Sequence, residues 1–131
     1  MRRVRQVGTR AELIVRAWLR RHGLAYRIAP RTLPGRPDLA NCRQGWALFV
    51  HGCFWHAHDG CRRATVPKRN RAFWQAKLDG NRRRDRAKAR ALEALGLRVL
   101  VVWECEALAL AERGTAPPAL QALLAGPSNL P

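Results

Sequence analysis

The densest run of chemistry-bearing side chains in the sequence lies between Cys53 and Cys61. Cys53-Phe54-Trp55-His56-Ala57-His58-Asp59-Gly60-Cys61 packs two thiols and two imidazoles into nine positions. Zinc takes four nitrogen or sulfur ligands in a tetrahedron, and Cys53, His58 and Cys61 can supply three of them from one loop. Cys105, far along the chain, can close the shell. The spacing is not that of a common zinc finger, and buried unligated cysteines are the competing reading. Cys42 is left over and reads as a small buried side chain.

Asp38 stands directly behind Pro34-Gly35-Arg36-Pro37. An aspartate in that setting commonly serves a turn or a cap. At the head of an expected strand it is also a natural magnesium ligand, because magnesium prefers one or two carboxylates plus water and phosphate. Glu12 has capping-box spacing from Thr9 and is ambiguous in the same way. His51 and His56 flank the Cys–His loop and can take a proton from water near neutral pH, or bind metal instead. Phe54, Trp55 and Trp74 lie in or beside polar segments, where stacking on nucleic acid competes with packing. Trp18, Trp46 and Trp103 fall within apolar stripes and are expected in the core.

The charge balance points to the partner. Lys and Arg number 25 against 9 acidic residues, a net charge of +16 that favours a polyanion. A GC-rich genome explains a preference for Arg over Lys, but not the shortage of acids. Nucleic acid is therefore the favoured partner, ahead of an acidic membrane surface, because the basic residues do not line one face of a lipid-seeking helix. A hydrophobic share of 47% in 131 residues supports one compact domain with a real core. No apolar run approaches the roughly 20 residues of a membrane span, and the basic start of the chain lacks the apolar stretch of a signal peptide. An intracellular, cytoplasmic protein is expected, in which reducing conditions favour metal binding by the four cysteines over disulfides.

These residues need elements to position them. Thr9 should cap a helix whose apolar stripe runs through Ala11, Ile14 and Trp18 and which Gly23 ends. Leu24, Tyr26 and Ile28 alternate as a short strand. Three prolines between Pro30 and Pro37 constrain a loop. A strand opens at Asp38, turns near Asn41–Gly45, and is followed by a buried strand over Trp46–Val50. The segment from His51 to Pro67 has little periodicity, as in functional or metal-held loops. A helical pattern runs from Asn70 to Leu95 with a break expected at Gly80. Leu97–Trp103 is the strongest strand pattern, and a last helix is expected over Pro118–Leu124. The order implies an α/β sandwich with a small mixed sheet.

Several blocks in one order carry a family resemblance. They are Pro34-Gly35-Arg36-Pro37-Asp38, Val50-His51-Gly52-Cys53-Phe54-Trp55-His56, Val66-Pro67, Phe73-Trp74, Lys77, Asn81, Arg84-Asp85 and Val102-Trp103-Glu104-Cys105. From about Glu12 to Cys105 the chain closely resembles the very short patch repair DNA mismatch endonucleases. The resemblance implies a restriction-endonuclease-like fold of the PD-(D/E)xK superfamily with a structural zinc. It also implies a magnesium-dependent nick 5′ to the thymine of a T:G mismatch left by deamination of 5-methylcytosine.

Position by position, the resemblance makes Asp38 and the Val50 backbone carbonyl magnesium ligands. It makes His51, His56 and Glu12 catalytic-site residues, with His56 the general base. Cys53, His58, Cys61 and Cys105 become the zinc ligands, and Phe54, Trp55 and Trp74 the rings wedged beside the mismatch. Arg36, Lys77 and Asn81 are expected at the DNA. The Glu-x-Lys half of the usual nuclease motif is replaced by Phe49-Val50-His51, which moves proton chemistry to histidine. Gly60 adds a residue between His58 and Cys61 that a glycine absorbs easily.

Residues 1–131 are expected to form a single endonuclease domain, with 1–8 a shortened N-terminal arm and 106–131 a helical tail. A nucleoid-associated monomer is expected, with general mismatch-repair proteins as further partners. The rival readings are a zinc-stabilised DNA-binding module without catalysis, and a nickase of the same fold with another DNA substrate.

Overall fold

A computed structural model describes residues 8–126. The expected N-terminal arm, apart from Gly8, and the last five residues of the tail lie outside the described residues. The elements are α1 (Arg10–Arg21), β1 (Arg27–Ile28), β2 (Leu39–Asn41), β3 (Trp46–His51), α2 (Arg71–Ala94), β4 (Arg98–Trp103), α3 (Glu104–Arg113) and α4 (Pro118–Ala125). A short 3-10 turn covers Arg62–Ala64.

The four strands form one mixed sheet in the order β1-β2-β3-β4, antiparallel across β1, β2 and β3 and parallel between β3 and β4. A parallel pair needs a long crossover, and α2 with the irregular segment before it supplies one. The strand period of two divides the side chains between two layers. Leu39, Trp46, Leu48 and Val102 pack with Ala11, Val15, Trp18, Leu19, Leu110 and Leu120 beneath α1, α3 and α4. Ala40, Ala47, Phe49 and Leu97 pack with Leu92 of α2 on the other face. By the same alternation Asp38 and His51 belong to the α2 face. Trp18 and Trp46 are core residues, and Trp103 is partly buried.

Local chemistry explains the boundaries. Thr9 caps α1 by accepting a hydrogen bond from the Glu12 N–H at 3.2 Å. Gly45 closes the turn between β2 and β3 with its N–H 2.9 Å from the Asn41 carbonyl. β1 is shorter than the alternation of Leu24, Tyr26 and Ile28 suggests, because the Asn41 side chain donates to the Ala25 carbonyl where a further ladder bond would lie.

One expectation fails in the helices, and one helix was not foreseen. No break occurs at Gly80; α2 runs unbroken for 24 residues. One glycine costs a helix about 1 kcal/mol, which the Ala, Arg, Lys and Leu residues around it outweigh. Secondly, β4 passes into α3 without a loop. Trp103 N–H donates to Glu106 Oε1 at 2.9 Å, and Glu104 and Glu106 lie in the first turn, where the helix dipole favours acids. Cys105 therefore sits on a helix. Cys42 is exposed rather than buried, since it falls in the turn after β2 and not in the ladder.

Candidate active site and metal centre

The C-terminal ends of β3 and β4 lie side by side, with His51 paired to Trp103 in the parallel register. The loop leaving β3 folds back over this end of the sheet. Ala57 takes a left-handed φ of 52° and Gly60 one of 70°, which lets the chain turn twice within five residues.

The loop brings together all four expected sulfur and nitrogen donors. One ligand atom each from Cys53, His58, Cys61 and Cys105 lies within 4.8 Å of the others. Cys53 is fully buried, and its sulfur accepts from the Cys105 N–H at 3.4 Å. His58 Nδ1 lies 3.6 Å from Cys105 Sγ, and its ring stacks on Trp103 at 4.0 Å and 8°. Burial pushes the Cys53 thiol up to about 12 and raises that of Cys105. Cys61 goes the other way, because backbone N–H groups and the neighbouring sulfurs outweigh burial. Three sulfurs and one imidazole nitrogen converging at this spacing are a donor set that fits a tetrahedral soft cation. All four cysteines are free thiols, so no disulfide competes for them.

Beside this cluster His51, His56 and Asp85 form a second one. The two imidazoles stack face to face at 3.9 Å and 3°. His56 Nδ1 lies 2.6 Å from Asp85 Oδ2. Burial alone would raise the Asp85 carboxyl, but the hydrogen bond to His56 and the nearby imidazoles outweigh it and hold its pKa below the ordinary value. His51 is 7% exposed. Desolvation, with His56 beside it, lowers its pKa to about 4, so its ring is neutral across the physiological range. Its Nδ1 is buried without a hydrogen-bond partner among the described residues.

Asp38 sits at the head of β2 on the same face. Its Oδ2 accepts from the Val50 N–H at 2.6 Å, which ties the carboxylate to β3. Burial raises its pKa to about 6; Glu12 adds to the rise, while the Val50 hydrogen bond, His56 and Lys88 oppose it. A carboxylate pushed up in this way is short of positive charge. Its other oxygen receives no hydrogen bond among the described residues, so the residues present fit a hard divalent cation. In a strand, the N–H and C=O of one residue face the same neighbour, so the Val50 carbonyl faces the Asp38 edge. Glu12 is 1% exposed and forms an ion pair with Arg16 one turn on.

The rings expected at the DNA gather on the outer side of the loop. Phe54 lies 5.1 Å from Trp55 and 5.7 Å from Trp74, and Trp55 lies 6.1 Å from Trp74. Lys77 Nζ stands 5.9 Å over the Trp55 ring. Phe73, 5.3 Å from Trp74 and 57% exposed, extends the cluster into solvent. Arg36 is exposed in the turn before β2, with a left-handed φ of 44°. Asn81 is turned inward: its Nδ2 donates to the Trp55 carbonyl at 2.8 Å and its Oδ1 accepts from Arg84, so it braces the loop.

Sequence reading assigned no role to Asp85 or Phe73. Asp85 is one acid on a long polar helix, and only the fold of the loop against α2 brings it to His56. Phe73 adjoins Trp74, and an aromatic pair in a polar, basic segment was the available signal.

The fold and its two side-chain clusters define a basic α/β protein with two donor sets that could hold metal ions at one end of a mixed sheet. The family model described as DNA mismatch endonuclease Vsr matches residues 1–63. The type II nicking enzyme V.XorIIP of Xanthomonas oryzae pv. oryzae is 46% identical over 106 residues, covering 81% of this chain and 77% of that protein. The type II nicking enzyme V.NmeAIP of Neisseria meningitidis is 37% identical over 106 residues, covering 81% of this chain and 75% of that protein. The DNA mismatch endonuclease Vsr of Escherichia coli is 41% identical over 105 residues, 80% of this chain and 67% of that protein. The chain belongs to the Vsr family of DNA mismatch endonucleases and nicking enzymes.

Proposed function

We propose that this chain nicks one strand of duplex DNA 5′ to the thymine of a T:G mismatch. The observation that carries the reading is the Asp85–His56 pair beside the Asp38 carboxylate, in a chain of this family. The domain 1–131 acts as one endonuclease of the restriction-endonuclease-like, PD-(D/E)xK type. It is a monomer working on DNA in the cytoplasm, where other repair proteins follow it. No helix among the described residues is long and apolar enough to cross a membrane.

Asp85 accepts the Nδ1 proton of His56, which fixes the tautomer and leaves Nε2 unprotonated as the general base for the attacking water. His51, neutral and stacked on His56, holds that ring parallel to its own and keeps water from its buried face. Glu12 keeps one oxygen on Arg16, and its charge acts on Asp38, where it would help to orient the attacking water. Asp38 and the Val50 carbonyl would hold Mg²⁺, which when bound supplies charge stabilisation to the phosphate and the leaving oxygen. Cys53, His58, Cys61 and Cys105 would hold Zn²⁺, which pins the loop that carries His56 and the wedge rings.

Recognition follows from stacking. A T:G wobble pair stacks less well than a matched pair, so inserting Phe54, Trp55 and Trp74 beside it costs less. Arg62, Arg63, Arg69, Arg71 and the arginines of α2 hold phosphates and make binding salt-dependent.

The test uses labelled T:G and C:G duplexes with Mg²⁺, wild type and Asp38→Ala. Wild type is expected to nick the T:G duplex alone and the variant neither. Nicking of both duplexes at one rate overturns the mismatch reading, and nicking by the variant at the wild-type rate overturns the role of Asp38.

A further inference from the structure

Lys88 lies on α2 one turn beyond Asp85, on the same helix face. Its stem is fixed from outside by the turn that precedes Asp38. Gly35, at φ 74°, approaches so closely that a Cβ there would fall 2.7 Å from Lys88 Cβ and 2.8 Å from its Cγ. The absence of a side chain at Gly35 is therefore a packing requirement as well as a conformational one. The Pro34–Pro37 turn presses on the stem and limits where the ammonium can go.

Geometry sets Lys88 between two parts of the site: Asp85 lies one turn back on the same helix face, and the turn against its stem leads straight into Asp38. Its charge also acts on Asp38, His51 and Asp85, favouring the deprotonated form of each. Yet the ion pairs among the described residues join Glu12 to Arg16, His56 to Asp85 and Asp59 to Arg82, and none of them uses Lys88. A half-buried cation held at a site but paired with no carboxylate is an arrangement suited to an incoming anion. The anion that the site takes is a phosphodiester.

We propose that Lys88 is a phosphate-binding catalytic residue of this site, donating from Nζ to an oxygen of the phosphate that is cut. The inference rests on the nicking reading above. Charge accumulates on that phosphate during the in-line attack, so a donor already in place stabilises the transition state more than the bound ground state.

The full chain is compared as wild type, Lys88→Met, Lys88→Gln and Lys88→Arg, each first shown to be folded by thermal unfolding. Single-turnover nicking of a T:G duplex is measured together with equilibrium binding. In parallel, one neutral methylphosphonate linkage is walked through the nicked strand and binding is measured at each position. Lys88→Met and Lys88→Gln are expected to slow nicking about 100-fold with Kd within about threefold, and Lys88→Arg to recover at least about tenfold of that loss. One methylphosphonate position should weaken wild-type binding and leave Lys88→Met binding unchanged. Nicking by both neutral variants within about threefold of wild type overturns the proposal. If wild type fails to nick the T:G duplex, the mismatch reading falls and the walk alone decides Lys88. A position at which only wild type loses affinity supports it; the same loss in wild type and variant at every position overturns it.

Discussion

Replacing Asp38 with asparagine should abolish nicking and at the same time stabilise the magnesium-free protein. The carboxyl has its pKa raised from 3.8 to about 6, chiefly by burial and further by Glu12. A raised carboxyl pKa means that the folded state binds this proton more tightly than the unfolded chain does. The contribution to stability is complete below pH 4 and is lost as the pH rises through about 6. Roughly two pKa units at 1.36 kcal/mol each set the loss at no more than about 3 kcal/mol at pH 8.

Asparagine cannot ionise and therefore escapes that loss, while its Oδ1 can still accept from the Val50 N–H. The variant should exceed wild type by about 1–3 kcal/mol at pH 8, worth about 3–5 °C in Tm for each kcal/mol. The gap should close towards pH 4. Thermal unfolding across pH 4–8, in magnesium-free buffer without chelator so that the proposed zinc site is left undisturbed, measures it. Added Mg²⁺ should then raise the Tm of wild type and leave the variant where it was. A variant no more stable than wild type at pH 8, with a gap independent of pH, would refute the reasoning.

Other outcomes follow from the same geometry. Cys105→Ser should lower bound zinc below one ion per chain by metal analysis, and should unfold the protein at a Tm lower by at least about 5 °C, because closed metal sites contribute folding energy. Asp85→Asn should leave DNA binding within about threefold of wild type and cut single-turnover nicking by about 10²-fold or more, since His56 loses its tautomer partner. Phe73→Ala should weaken binding to a T:G duplex by about 1 kcal/mol or more in a titration, more than to a matched duplex, because its ring is the most exposed of the cluster. Gly80→Ala should raise stability by about 0.5–1 kcal/mol in urea melts without changing nicking, as its Cβ would meet nothing closer than Arg84 at 3.5 Å.

Features set by neighbouring residues were legible before any coordinates. The Thr9 cap, the turn closed by Gly45, the buried strand at Trp46 and the long helical pattern after Asn70 are all signalled by residue patterns within a few positions. The misreadings have the same root. A break at Gly80 is a fair local inference that the rest of α2 overrides, and the pattern of β4 hid the helix that starts at Glu104. Cys42 was read by residue type alone, and type does not reveal which side of a turn faces solvent.

The same division runs through the candidate site. The sequence alone determined the charge, the donor types and the Cys53–Cys61 loop, because nine adjacent residues remain neighbours in any fold. Only the tertiary structure decided which distant groups complete each cluster. Cys105 reaches the sulfurs because β4 lies parallel to β3 and ends beside it. Asp85 reaches His56, and Lys88 reaches the turn before Asp38, because the crossover between those strands lays α2 across the Asp38 face. Separations of tens of residues carry no spacing signal, and the distances that matter to the chemistry arise only when the sheet closes and the helix packs upon it.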